Sequence, residues 1–147
     1  MEAVVLAGGF GTRLRSVVSE VPKPMAPVGG RPFLELLLDY WIRQGVRRFV
    51  LSIGYLAEKI SAHFGPAWRG AEIAYAHEVE PLGTGGGLLL AAAEARGEDL
   101  LVLNGDTFFA VDLPGFAEFH RAHRSDCTFS LFRSTDPKRY PSPNLPS

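Results

Sequence analysis

Short apolar segments alternate with helical patterns along this chain from its first residues to about residue 133. Four of these segments predict strands, at residues 2–7, 48–53, 71–76 and 100–103. The fourth, Leu-Leu-Val-Leu, has no polar face, as expected for a strand that is covered on both sides. Alternating strands and helices favour parallel pairing through right-handed crossovers. The sequence therefore predicts an α/β fold with a doubly wound, mostly parallel sheet.

Helical patterns fill the intervals between these strands. The first predicted helix has Pro32 at its start and Gly45 just after its end, which is the usual placement of these two residues. Helices are predicted over residues 32–44, 55–64, 84–96 and 114–123, and a final strand over residues 127–132.

The loops after the first and fourth strands are expected to share one site. Ligands of doubly wound sheets bind at the carboxyl ends of the strands, where the winding reverses. In the strand order 3-2-1-4, the first and fourth strands are neighbours at that point. The segments that follow them are Gly8-Gly9-Phe10-Gly11-Thr12-Arg13 and Asn104-Gly105-Asp106.

The first of these loops is suited to anions. Three glycines within four positions let the backbone approach a ligand closely and direct N–H groups toward its oxygens. Four basic residues among the first 31, namely Arg13, Arg15, Lys23 and Arg31, stand against two acidic ones, Glu2 and Glu20, a local net charge of +2. A triphosphate fits these features, and a glycine-rich turn with solvated basic side chains is the simpler alternative.

Two further residues could carry chemistry. Lys23 lies between Pro22 and Pro24, which predicts a stiff, extended, non-helical segment that holds its side chain in place. Asp106 follows the most apolar strand, a position from which its carboxylate could bind a hard divalent cation. Each signal taken alone is also compatible with a purely structural role.

Composition excludes several classes of protein. The formal net charge is −1 and no basic run occurs, which argues against a nucleic-acid partner. With 46% hydrophobic and 21% charged residues, the chain is expected to be globular. No apolar window approaches the length of a membrane span, and no signal peptide is expected. A single cysteine, Cys127, excludes an internal disulfide and fits a cytoplasmic location.

The last residues differ from the rest. Four prolines occur in the final eleven residues without an apolar period, so residues 134–147 are expected to be an extended or disordered tail. Residues 1–133 are expected to form one nucleotide-binding domain.

Four motifs together resemble one known family. They are Leu6-Ala7-Gly8-Gly9-Phe10-Gly11-Thr12-Arg13-Leu14-Arg15, Val21-Pro22-Lys23-Pro24-Met25, Leu82-Gly83-Thr84-Gly85 and Asn104-Gly105-Asp106-Thr107. Their order and spacing resemble those of the sugar-phosphate nucleotidyltransferases. The stretch from Ser16 to Val28, with Glu80-Pro81-Leu82-Gly83-Thr84-Gly85-Gly86, is most similar to the D-glycero-D-manno-heptose 1-phosphate guanylyltransferases, followed by the mannose-1-phosphate guanylyltransferases.

The resemblance implies a Rossmann-like three-layer α/β/α domain and a role for each motif. Arg13 would hold the triphosphate and the leaving pyrophosphate, Lys23 would lie near the phosphoryl group that is transferred, and Asp106 would bind Mg²⁺. These three are the implied catalytic residues. The implied nucleotide-binding residues are Leu6, Ala7, Gly8, Gly9, Gly11, Thr12, Arg13, Lys23, Leu82, Gly83 and Thr84.

The implied reaction joins a sugar 1-phosphate to a nucleoside triphosphate, with GTP as the expected nucleotide, and releases pyrophosphate. A homo-oligomer is compatible with the family. Members of the family continue well beyond this length, and nothing here matches their acidic-lysine motif or second metal carboxylate, so the resemblance covers a truncated, N-terminal part. The alternative function is therefore a catalytically inactive module that binds a nucleotide or a sugar phosphate. A dinucleotide-dependent oxidoreductase is disfavoured, because Leu14 stands where the fingerprint needs glycine.

Overall fold

The computed structural model describes residues 1–9 and 21–131, and the chain divides into two compact units after Phe109. The first unit contains β1 (Glu2–Leu6), a short 3-10 helix (Lys23–Met25), β2 (Pro27–Val28), β3 (Arg31–Pro32), α1 (Phe33–Arg43), β4 (Arg48–Ile53), α2 (Ala57–Phe64), β5 (Ala67–Trp68), β6 (Ala71–His77), α3 (Gly83–Ala92) and β7 (Leu100–Asn104). The second unit contains α4 (Leu113–Ala122).

The main sheet has the predicted order. Its strands run β5-β6-β4-β1-β7, and β6, β4, β1 and β7 are parallel, so the predicted order 3-2-1-4 is confirmed. The two-residue strand β5 adds an antiparallel edge that the sequence patterns did not indicate. β2 and β3 form a separate antiparallel pair.

Apolar residues at the centre of the sheet explain its register. Val4 of β1 lies opposite Val50 of β4 on one side and Val102 of β7 on the other. Val4 and Val50 are fully buried and pack in one cluster with Ala76 and with Ala91 of α3. A shift of one residue would turn every side chain of a strand to the opposite face, so this buried cluster specifies the pairing.

The ends of α1 agree with the sequence. Pro32 precedes its first residue, and Gly45 follows its end with a φ of 98°, a conformation that most side chains disfavour. The Val46 N–H donates to the Trp41 carbonyl at 3.1 Å, which satisfies one of the last carbonyl groups of the helix. Helix α3 ends at Ala92, four residues before the predicted end.

The predicted final strand at residues 127–132 is wrong for the residues that are described. Residues 127–131 contain no strand, and residue 132 lies outside the described part of the chain. The side chains of Phe129 and Leu131 are exposed. An apolar period favours a strand only where a neighbouring strand pairs with its backbone, and no pairing reaches residues 127–131.

Arg31 does not contribute to the positive charge expected around the first loop. Its guanidinium donates to Glu35 Oε2 and to Asp39 Oδ2, both at 2.8 Å. Trp68 Nε1 also donates to Asp39, and His63 Nε2 lies 2.8 Å from Glu35 Oε1. We call these five residues the α1 charge cluster. It binds α1 to β3, α2 and β5.

The carboxyl groups of this cluster are stabilised in their charged form. Burial raises the pKa of Asp39, but hydrogen bonds from Arg31 and Trp68, with Arg69 nearby, outweigh burial and leave this pKa below its ordinary value. Burial likewise raises the pKa of Glu35, and Arg31 with His63 brings the net value below the ordinary one. A lowered pKa in the folded state means that the carboxylate stabilises the fold above its unfolded pKa, and that this contribution is lost as the pH falls.

We therefore predict that the free energy of unfolding decreases as the pH falls below about 4, the ordinary pKa range of carboxyl groups. Asp39→Asn should lower stability at pH 7 by about 1–3 kcal/mol, since buried hydrogen bonds to a charged group are lost. It should also make the acid-induced decrease less steep. Urea unfolding at a series of pH values measures both effects, with Asp126→Asn on the exposed surface as the control. An unchanged pH dependence in Asp39→Asn would contradict the prediction.

Candidate functional site

The carboxyl ends of three strands bring the two predicted loops together. Leu6, the last residue of β1, lies opposite Ser52 of β4 and Asn104 of β7. The Gly105 N–H donates to the Leu6 carbonyl at 2.8 Å, and the Ala7 N–H donates to the Ser52 carbonyl at 2.8 Å. The loop that begins at Gly8 therefore starts beside the turn that carries Asp106, as the strand order predicts.

Lys23 contacts the second of these loops. Its Nζ donates to Asp106 Oδ2 in a salt bridge that links residues 83 positions apart. Pro22 and Pro24 on either side are buried, so the backbone that carries Lys23 is fixed. The predicted extended geometry is wrong, because Lys23–Met25 form one turn of 3-10 helix. Pro24 is tolerated there since the first turn of a helix does not need its N–H.

Asp106 is held as a carboxylate. Burial raises its pKa, but the hydrogen bond and the charge of Lys23, together with a hydrogen bond from Thr107, leave the pKa below its ordinary value. The Thr107 hydroxyl lies 3.1 Å from Oδ1. About a third of the Asp106 side chain remains accessible to solvent. The position thus combines a negative charge with access for a ligand.

A second carboxylate at this edge of the sheet, Glu78, was missed by the sequence analysis. Glu78 follows the last residue of β6, and its Oε1 accepts a 2.6 Å hydrogen bond from the fully buried hydroxyl of Ser52. Its Oε2 accepts the backbone N–H of Leu82 at 3.3 Å. Two signals were available. Glu78 lies two residues after a predicted strand, at the expected edge, and Ser52 is a hydroxyl in an otherwise apolar strand end.

Two glycines make room for the Glu78 carboxylate. A Cβ atom on Gly8 would lie 2.1 Å from Oε1, and a Cβ on Gly87 of α3 would lie 2.8 Å from the same atom. A side chain at either position would displace the carboxylate. Glu78 therefore contacts the first loop directly, and through the Leu82 N–H it also holds the Leu82-Gly83-Thr84 turn.

The described part of the site contains most of the predicted segments. Leu6, Ala7, Gly8 and Gly9 lie at or after the end of β1, Lys23 contacts Asp106, and Leu82, Gly83 and Thr84 lie at the start of α3. Gly11, Thr12 and Arg13 lie outside the described residues. Within residues 1–9 and 21–131, no three histidine, cysteine or acidic side chains group into a cage for a metal ion. In the same ranges, no helix has the length and apolar character that crossing a membrane requires.

A family model for nucleotidyl transferases matches residues 2–141. The chain belongs to the nucleotidyl transferase family. Members of this family generally use a divalent metal. The match extends over both loops, over the Lys23 segment and over the turn at Leu82.

Two curated relatives carry guanylyltransferase names. The chain is 45% identical over 140 residues to D-glycero-alpha-D-manno-heptose 1-phosphate guanylyltransferase of Aneurinibacillus thermoaerophilus, covering 95% of this chain and 61% of that protein. It is 40% identical over 141 residues to mannose-1-phosphate guanylyltransferase of Mycobacterium tuberculosis, covering 95% of this chain and 39% of that protein. The chain thus spans three fifths of the first relative and less of the second.

Solved structures support the fold. The crystal structure of HddC from Yersinia pseudotuberculosis complexed with GMP-PN matches with a TM-score of 0.71 and 39% identity, over 81% of this chain and 53% of that one. A UDP-glucose pyrophosphorylase from Acinetobacter baumanii matches with a TM-score of 0.74 at 19% identity, over 84% of this chain and 53% of that one, which shows the fold alone. The expected Rossmann-like nucleotidyltransferase architecture is thereby confirmed.

The contact between Gly8 and Glu78 gives a direct test of this site. We predict that Gly8→Ala destabilises the fold by about 1–3 kcal/mol, because the methyl group displaces the Glu78 carboxylate and leaves the buried Ser52 hydroxyl without its partner. Gly9→Ala is the matched control, because a Cβ at Gly9 meets no atom of the described residues within 4 Å. Urea unfolding of both variants measures the difference. Equal stabilities would show that Glu78 moves away from Gly8 at no cost.

Proposed function

We propose that this chain forms the nucleotide-binding part of a sugar-1-phosphate nucleotidyltransferase that uses GTP. The observation that carries the proposal is the convergence of three separate segments on one edge of the sheet. These segments are the glycine loop after β1, the proline-flanked Lys23 and the Asp106 turn after β7. The names of the relatives supply the class of substrate, a sugar 1-phosphate.

In the proposed reaction, a phosphate oxygen of the sugar 1-phosphate attacks the α-phosphorus of the triphosphate. A new P–O bond forms, the bond between the α-phosphorus and the bridging oxygen breaks, and pyrophosphate leaves with the electron pair. Catalysis of phosphoryl transfer depends on positioning and on offsetting negative charge. Lys23, whose backbone is fixed by two buried prolines, would place a positive charge beside the phosphates. We assign the same type of role to Arg13 in the first loop.

Asp106 has the character required of a metal ligand. Its carboxylate already accepts one cation, the Lys23 ammonium, and part of it is open to solvent. Mg²⁺ is commonly bound by one or two carboxylates together with substrate phosphates and water, so a single carboxylate fits. When bound, Mg²⁺ would offset charge on the phosphate oxygens. We propose Asp106 as the residue that holds it.

Glu78 supports guanine as the base. A carboxylate accepts hydrogen bonds and donates none, whereas guanine offers two donors, N1–H and the N2 amino group, on one edge. Adenine places an acceptor at N1, which a carboxylate would repel. Because Glu78 lies against Gly8 and bonds to the Leu82 N–H, a base at the start of the first loop would meet this carboxylate.

The proposal also places the protein in the cytoplasm, where nucleoside triphosphates are made.

Calorimetric titration of the chain tests nucleotide binding. We expect GTP to bind more tightly than ATP, and Mg²⁺ to strengthen the binding of GTP. Asp106→Asn should remove the Mg²⁺ effect while the circular dichroism spectrum stays unchanged, since this carboxylate lies at a strand end rather than in the core. Asp126→Asn is the control for loss of one surface carboxylate. Tighter binding of NAD than of any triphosphate would refute the proposed function.

A second substitution tests the role of Lys23. We expect Lys23→Met to weaken GTP binding by about 10- to 100-fold, which corresponds to loss of a hydrogen bond to a charged group. Guanosine should be affected far less, because it has no phosphate. Lys59→Met on α2 is the matched control. An equal loss for GTP and guanosine would mean that Lys23 acts on the fold and not on the phosphates.

A further inference from the structure

Ser52 is a polar residue in an otherwise apolar, buried part of strand β4. It lies in β4, between Leu51 and Ile53, and all three side chains are fully buried. The Ser52 hydroxyl has one partner among the described contacts of its side chain, Glu78 Oε1 at 2.6 Å. A buried hydroxyl without a partner is costly, so Ser52 and Glu78 depend on each other.

The hydrogen bond from Ser52 restricts the orientation of the Glu78 carboxylate. A glutamate side chain has three rotatable bonds, and fixing it costs conformational entropy. Ser52 donates a hydrogen bond to Oε1, and the carboxylate packs against Gly8 and Gly87, where a side chain would displace it. The carboxylate is thus oriented before a ligand arrives, which is the condition for selecting among ligands by hydrogen bonding.

The second carboxylate oxygen of Glu78, Oε2, faces the backbone of Leu82. Oε2 accepts only the long, 3.3 Å bond from the Leu82 N–H among its described contacts. A carboxylate has about four acceptor positions, so both oxygens keep the capacity to accept further donors. Leu82 itself precedes α3 and is one of the nucleotide-binding residues that the family resemblance implies.

We propose that Ser52 is a positioning residue for base selection, which acts by holding Glu78 in the orientation that accepts guanine. This inference rests on the proposed function, because it assumes that a nucleotide occupies the loop at Gly8. Ser52 does not contact the nucleotide. Its effect is expected on the preference among bases and not on the binding of phosphates, which involves Lys23 and Asp106.

The experiment measures dissociation constants for GTP, ITP and ATP by calorimetry, with Mg²⁺ present. ITP lacks the N2 amino group of guanine and ATP lacks both donors. We expect Ser52→Ala to weaken GTP binding about tenfold and to change ATP binding by less than about twofold, so that the preference for GTP over ATP falls about tenfold. Ser52→Thr retains the hydroxyl and should restore the preference. Ser61→Ala, on an accessible serine of α2, is the control.

A double-mutant cycle separates positioning from a structural role. Glu78→Gln should lower the preference for GTP, and adding Ser52→Ala to Glu78→Gln should lower it no further, since both changes remove the same function. If Ser52→Ala does not fold, Ser52→Cys, which is similar in size and a weak donor, replaces it with the same expected loss. An unchanged GTP-to-ATP ratio, or an equal loss for all three nucleotides, overturns the inference while leaving the proposed function intact. Failure of the unmodified chain to bind any triphosphate overturns both.

Discussion

The parallel pairing of β1 with β4 on one side and β7 on the other is the constraint on which this site depends. Parallel strands end at the same edge of a sheet, so whatever follows them in sequence is brought together. The pairing of Leu6 with both Ser52 and Asn104 places the start of the glycine loop beside the Asp106 turn, and the Gly105 N–H donates to the Leu6 carbonyl. Burial of Val4 and Val50 stabilises this register. The same strand pairing therefore forms the core and brings the residues of the site together.

Two basic side chains of the first unit, Arg31 and Lys23, have different roles: one stabilises the fold and the other lies in the candidate site. Arg31, although it lies eight residues after Lys23, is held by Glu35 and Asp39 on α1. Lys23, between two buried prolines, instead extends to Asp106. The difference follows from the local backbone, because β3 leads directly into α1 and places Arg31 one turn from Glu35, whereas the 3-10 turn directs Lys23 to the carboxyl edge of the sheet.

Close packing also shapes the site. Glu78 lies against Gly8 and Gly87, and its two oxygens bond to Ser52 and to the Leu82 backbone. The loop after β1, strand β4 and helix α3 thereby meet at one carboxylate. Glycine at positions 8 and 87 lets the Glu78 carboxylate keep this place, which gives these two glycines a physical reason beyond the anion binding expected of such loops.

The sequence by itself determined most of the strands and helices, because apolar periods and glycine or proline boundaries are local properties of the chain. Their alternation indicated the fold class, and the usual strand order of that class indicated the edge at which the site lies. The sequence also predicted Asp106 at that edge, whereas the place of Lys23 followed only from the family resemblance. Only the tertiary structure decided that Arg31 belongs to the α1 charge cluster, that residues 127–131 form no strand, and that Ser52 holds Glu78. The Ser52–Glu78 bond joins residues 26 positions apart, and the α1 charge cluster joins Glu35 to His63 across 28 positions and Asp39 to Trp68 across 29. Whether an apolar segment forms a strand depends on whether a neighbouring strand pairs with it. Local patterns carry no information on such partners, since packing in three dimensions selects them.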